Sequence, residues 1–234
     1  MPSDLAAIEQ RLRSLANPVY AAGAQQFFKD PVDSYGIKTP VIRKLAAEYA
    51  REWKSEPLAR RTELAEGLWR LGKMEAGGLA VEIYRRWLRE CAAPQFRLFG
   101  RWLERFASNW AHCDTIGMYL TAPMIERDPG YIAELPAWCA SRARWKRRGA
   151  AVSLVREGRR GRHLEAVLDI ASRLLGDPDE MVQKGAGWLL KEAHTGHGAV
   201  IVEFLEQRRQ ITPRLVLRYA AEKMGPADRR RVLG

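Results

Sequence analysis

The sequence predicts an all-α protein made of stacked helical pairs, and three observations carry that expectation. Apolar residues recur at helical spacing along nearly the whole chain. Segment after segment opens on a capping residue or a Pro and closes on Gly, Asp or Pro. No stretch shows the two-residue alternation of a half-buried strand. Helices of about 12 to 18 residues recur about a dozen times between short turns, the rhythm of a HEAT-like helical repeat solenoid. Exact repetition is weak, so the repeat rests on rhythm, and a compact helical bundle is the alternative. A solenoid would offer a concave cationic groove that a duplex fits.

Ser3 is expected to cap a first amphipathic helix reaching about Ala16, with Leu5, Ile8, Leu12 and Leu15 on one stripe. Asn17-Pro18 opens a second, to Phe28, and Lys29 to Lys38 is a loop. Thr39-Pro40 repeats the start signal before Val41 to Trp53, where Ile42, Leu45, Ala46 and Tyr49 line one face. Ser55 is expected to open a helix through Leu71. Glu75 to Cys91 follows, and then a helix from Pro94 to about Ser108. Asp114, a favoured cap, would start a helix running to Arg127, with Trp110 in the turn before it. If both instead lie on one helix, their four-residue spacing puts them on one face. After Asp128-Pro129-Gly130 come Tyr131 to Ser141 and Arg144 to Val155, the latter broken by Gly158 to Gly161. Arg162 to Leu175 stops at Gly176-Asp177-Pro178, and Asp179 starts a helix to about His194. Helices from Gly198 and from Thr212-Pro213 finish the chain, before the basic Arg229-Arg230-Arg231.

A length of 234 residues, read as one domain over 1–234, can bury a substantial core. A hydrophobic content of 47% and a charged content of 29% describe a globular protein. The net charge of +11 and pI near 9.9 point to a polyanion, nucleic acid before an anionic membrane. Cys91, Cys113 and Cys139 have no paired spacing, which fits a reducing compartment, and the first residues lack the pattern of a leader peptide. No uncharged run approaches the ~18 residues of a membrane span. The expectation is a cytoplasmic protein.

The charge is concentrated. Arg142, Arg144, Lys146, Arg147, Arg148, Arg156, Arg159, Arg160 and Arg162 place nine cations in 21 residues against Glu157 alone, a local balance of +8. Such a segment is either a solvated helix face or the footprint of phosphate contacts. Six tryptophans, Trp53, Trp69, Trp87, Trp102, Trp138 and Trp145, sit where helices pack and are read as core. Trp188 stands apart, behind Gly185 and Gly187, which cost ~1 kcal/mol each in a helix relative to Ala. Such glycines admit close approach of a ligand or of another helix. His112-Cys113 and His194-x-x-His197 invite a metal or nucleophile reading, but neither has further ligands at zinc spacing. No phosphate loop, serine elbow or deaminase signature is present.

Taken together, these residues resemble the AlkD-like DNA alkylation-repair glycosylases, a family of HEAT-like repeats, over most of the chain. The likeness runs through Tyr35-Gly36-Ile37-Lys38-Thr39-Pro40, Leu68-Trp69 with Glu75, Trp110-x-x-x-Asp114, Trp145-x-x-Arg148 with Ala150-Ala151, and Gln183-Lys184-Gly185-Ala186-Gly187-Trp188. The last three are the specific ones. The resemblance implies excision of cationic N3- and N7-alkylpurines such as 3-methyladenine and 7-methylguanine, without a metal or cofactor and without swinging the base into a pocket. It implies that Asp114 is catalytic, that Trp110 and Trp188 pack against the lesion, and that Arg148 holds a nearby phosphate. Lys38, Thr39, Arg144, Lys146, Arg147, Arg156, Lys184 and Lys191 are the further candidates for contact with duplex DNA. Lys38 and Phe27 depart from the Gln and Tyr familiar in the family. The expected protein is a monomer that hydrolyses an N-glycosidic bond. A non-enzymatic DNA- or RNA-binding module is the rival, and a protein scaffold the third reading.

Overall fold

Capping side chains set where several helices begin. Asp4, Asn17, Asn109 and Asp179 each accept a backbone N–H from the first turn they precede, those of Ala7, Tyr20, His112 and Met181. A computed structural model describes residues 4–234. The helices in chain order are α1 (Leu5–Ser14), α2 (Pro18–Gln25), α3 (Thr39–Glu52), α4 (Leu58–Arg70), α5 (Met74–Arg86), α6 (Ala93–Arg105) and α7 (Trp110–Ile116). They continue with α8 (Ala122–Arg127), α9 (Leu135–Cys139), α10 (Arg144–Arg159), α11 (Leu164–Leu174), α12 (Glu180–Gln207), α13 (Arg214–Ala220) and α14 (Pro226–Leu233). Among the described residues there is no strand, and no helix is long and apolar enough to cross a membrane. The fold is the all-α repeat solenoid that the helical rhythm predicts.

Neighbouring helices stack in pairs, α3 and α4 on α5, and α10 and α11 on α12. A continuous aromatic core runs between them: Trp69 and Tyr84 both pack on Trp102, at 5.8 and 5.1 Å between ring centroids. Trp53, Trp87, Trp138 and Trp145 are buried as well, whereas Trp110 and Trp188 are only partly covered.

Local chemistry moved several expected boundaries. The expected cap Ser3 lies outside the described residues, and Asp4 performs that role. Leu15 ends α1 half exposed rather than continuing its buried stripe. The helix expected from Ser55 begins only after Pro57, because the residue before a proline is steered away from helical angles. The single helix expected up to Arg127 carries a π turn over residues 117–121, where the Ala122 N–H reaches back to the Gly117 carbonyl. Pro123 has no N–H to give the preceding turn, and the wider turn accommodates its ring. Helix α10 continues through Gly158, and the chain turns only at Gly161, where φ is +68°. The segments expected on either side of residue 197 meet as one helix bent at His197.

Candidate functional site

The site is built on α7. Asn109, not Asp114, caps this helix: its side chain accepts the His112 N–H at 3.0 Å. Asp114 therefore lies inside the helix, one turn after Trp110 and on the same face. The expectation that Asp114 opens the helix is corrected on this point. Asn and Asp cap equally well, and the contacts of His112 select the earlier residue. Its Nε2 lies 3.0 Å from the Met74 carbonyl, and its ring meets Trp69 edge-on at 4.9 Å. Burial lowers the His112 pKa, so the neutral ring is favoured. Cys113 is buried with its Sγ on the Trp145 carbonyl, and burial pushes its thiol well above the ordinary value. Both side chains are therefore structural, and the nucleophile-pair reading falls. Among the described residues no group of three His, Cys, Asp or Glu side chains could hold a metal ion.

Asp114 faces Arg148 across the α7–α10 contact in a two-pronged ion pair. Arg148 Nε donates to Oδ1 at 2.8 Å and Nη2 to Oδ2 at 2.9 Å, while Nη1 donates to the Met181 carbonyl at 2.6 Å. The Arg148 side chain is 8% exposed and that of Asp114 17%. Burial raises the Asp114 carboxyl from its ordinary value, and the hydrogen bonds and charge of Arg148 work against that rise. The resemblance casts Arg148 as a phosphate ligand. Here its three nitrogens are engaged inside the protein, and it sets the geometry of Asp114.

Trp110 is held in a stack. Its Nε1 donates to the Phe27 carbonyl at 3.3 Å, and Phe28 lies parallel to the indole at 5.3 Å. The three aromatics line a groove of about 980 Å³, and Lys38 and Thr39 form part of its wall. Glu75 pins that wall, accepting from Ser34 Oγ and from the N–H groups of Tyr35, Gly36 and Ile37 at 2.6 to 3.0 Å. The turn requires Gly36: its φ is +73°, and a Cβ there would stand 2.0 Å from the Asn17 carbonyl oxygen. Lys38 also lies over the Tyr20 ring at 5.8 Å. Phe27, the departure from the family pattern, is 68% exposed at the rim.

Trp188, Lys184 and Lys191 follow one another at helical spacing on α12, and Trp188 does not line the groove of Trp110. The glycines before it serve packing. A Cβ at Gly185 would meet Arg148 Cγ at 3.0 Å, and one at Gly187 would meet Tyr219 Cβ at 2.5 Å.

The nine-cation segment is where linear reading and fold part most. Arg144 pairs with Asp30 and Asp179, Lys146 with Glu104, Arg147 with Asp177, and Arg156 and Arg160 with Glu126. Arg162 pairs with Glu157, and Arg159 stands 4.0 Å from Glu192. Lys191 is likewise paired, with Glu222 at 2.7 Å. Most of the +8 balance counted along the chain is thus met by carboxylates from other parts of the fold. The segment is largely a set of ion pairs to carboxylates elsewhere in the fold, not an open cationic face.

No curated protein sequence is similar enough to the chain to count as a relative. Among solved structures, a predicted DNA alkylation repair enzyme from Enterococcus faecalis superposes with a TM-score of 0.77 at 15% identity, over 90% of this chain and 97% of that one. At that identity the likeness is one of fold. The family model described as DNA alkylation repair enzyme matches residues 8–224. That match spans nearly the whole sequence, and the chain therefore belongs to the DNA alkylation repair enzyme family.

Proposed function

We propose that the protein is a monofunctional DNA glycosylase that releases cationic N3- and N7-alkylpurines, 3-methyladenine and 7-methylguanine among them, from duplex DNA in base excision repair. The observation that carries this reading is the Asp114 carboxylate, held by Arg148 and one helical turn from the groove-lining Trp110. A purine alkylated at N3 or N7 is already a good leaving group. The C1′–N bond breaks with its electron pair going to the base, which leaves neutral. Asp114 stabilises the cationic sugar that remains and orients the water whose oxygen bonds to C1′, the proton that this water loses passing to solvent, as carboxylates do in glycoside hydrolysis. No general acid is needed. The indoles of Trp110 and Trp188 favour a cationic base through their ring faces, by ~0.5–2 kcal/mol each. In this reading the protein acts as a cytoplasmic monomer, needs no metal or cofactor, and binds DNA partly through Lys38, Thr39 and Lys184.

Substrate charge is the direct test. Methylated duplex DNA is expected to yield free 7-methylguanine and 3-methyladenine, with or without chelator, while uracil and hypoxanthine stay in place. Robust uracil release would overturn the mechanism, because a lone carboxylate does not activate a neutral leaving base.

The tryptophans separate site from scaffold. Trp110→Ala and Trp188→Ala are each expected to slow 7-methylguanine release with a small change in melting temperature. Trp87→Ala, in the buried aromatic core, is expected to cost ~3–5 kcal/mol of stability. A melting loss at Trp110 or Trp188 equal to that at Trp87 would return that indole to the scaffold.

A further inference from the structure

The segment richest in arginine pairs its charges internally, so the surplus must surface elsewhere, and one cluster concentrates it. On α3 and α5 three arginines share the single carboxylate of Glu82. Arg43 Nε lies 3.1 Å from Oε1, Arg85 Nη1 lies 3.5 Å from the same oxygen, and Arg86 Nη1 lies 3.5 Å from Oε2. Glu82 is itself almost buried, with 9% of its side chain exposed. Three guanidinium groups on one carboxylate leave two positive charges in surplus.

The group is built rather than incidental. Arg86 is a buttress: it donates to the Glu82 carbonyl at 2.9 Å and to the Arg43 carbonyl at 3.0 Å, tying α5 to α3. Arg85 lies over the Tyr119 ring, its Cζ 4.7 Å from the centroid. Arg43 and Arg85 remain 48% and 44% exposed, and both line an open hollow of about 530 Å³ together with Glu82, Arg86 and Tyr119. Arg43, Glu82 and Tyr119 also line the groove of Trp110, so hollow and groove share a wall. Tyr119 belongs to the π turn that follows Asp114, and π turns recur at functional sites.

We propose that Arg43 and Arg85 form a binding site for a backbone phosphate of the duplex, with Glu82 and Arg86 fixing their planes and Tyr119 supporting Arg85. Planar guanidinium groups with N–H donors to spare suit the paired oxygens of a phosphodiester. The site rests on the reading of the groove as a DNA groove and adds to it where the strand is gripped. It adds a local grip beside the π turn that follows the site helix.

Equilibrium binding of undamaged duplex between about 50 and about 200 mM salt tests this. Arg43→Gln and Arg85→Gln are each expected to weaken binding and to lower the slope of log K against log salt, and the double variant is expected to lower it by about one unit, the share of the one phosphate the pair holds. Lys146→Gln, whose charge is already paired with Glu104, is expected to leave the slope unchanged. If wild type binds and both single variants keep its slope and affinity, the phosphate site is overturned and the glycosylase reading stands. If the slope falls equally in Lys146→Gln, the effect is one of net charge and the site is likewise overturned. A wild-type protein that neither binds duplex nor releases 7-methylguanine overturns the DNA reading itself.

Discussion

Asp114→Asn is expected to lower single-turnover release of 7-methylguanine by ~10²–10³, equivalent to ~2.7–4 kcal/mol of transition-state stabilisation. The amide keeps the size of the carboxylate and an oxygen for Arg148 but removes the charge that balances the cationic sugar. DNA binding is expected to persist, since a negative charge near phosphates has been removed. The opposing view treats Asp114 as the acidic half of a structural ion pair. It predicts lost melting temperature with the rate intact. The wild-type pH profile supplies a second check. Burial raises the Asp114 carboxyl, so its proton binds at a higher pH than in the unfolded chain. Excision is expected to be flat above that raised value and to fall as the pH drops through it. Stability responds in the opposite sense. The folded state binds this proton more tightly than the unfolded state, so the contribution of Asp114 weakens as pH rises from the ordinary carboxylate value through the raised one. Asp114→Asn is expected to abolish both dependences. A variant releasing base at the wild-type rate would end the proposal at its centre.

Arg148→Ala has the second large effect, and it is expected to act through Asp114. Removing one partner of a buried pair leaves the other charge uncompensated, typically at ~3–5 kcal/mol. The Asp114 carboxyl answers by taking up a proton more readily, because only the pull of Arg148 opposes the rise caused by burial. The acid limb of excision is therefore expected to move to higher pH, with a lower melting temperature. Arg148→Lys is expected to rescue little, since an ammonium cannot donate two parallel hydrogen bonds to the carboxylate and a third to Met181. Superposable pH profiles for wild type and Arg148→Ala would show that Arg148 does not set the state of Asp114. A loss of salt dependence instead would restore Arg148 as a phosphate ligand.

These expectations differ from those a linear reading supports, and the difference traces to particular residues. Helix periodicity, the caps Asn17 and Asp179 and the Gly176-Asp177-Pro178 turn are local features, determined by a few adjacent residues. The core tryptophans are legible for the same reason, because an indole at an apolar helical position is covered when helices pack. The candidate residues Trp110, Asp114 and Arg148 come from motif resemblance, which names residues without giving their contacts.

What lies between distant residues follows another logic. Asn109 and Asp114 are both competent caps, and the contact of His112 with Met74 and Trp69, contributed by α5 and α4, selects the first. The charge segment has the same character. The partners of Arg144, Lys146, Arg147 and Arg148 are Asp30, Glu104, Asp177 and Asp114, each on another part of the chain. No count over neighbouring residues can register a carboxylate that folding brings from far away. Glu82 gathers Arg43 from α3 in the same manner, and so a cationic surface arises where the linear density of charge is unremarkable. Helix formation depends on hydrogen bonds between residues four apart, and a residue's neighbours suffice to specify it. Electrostatics falls off with distance in space, whatever the separation along the chain, so the fold settles which charges are neutralised and which are left to bind.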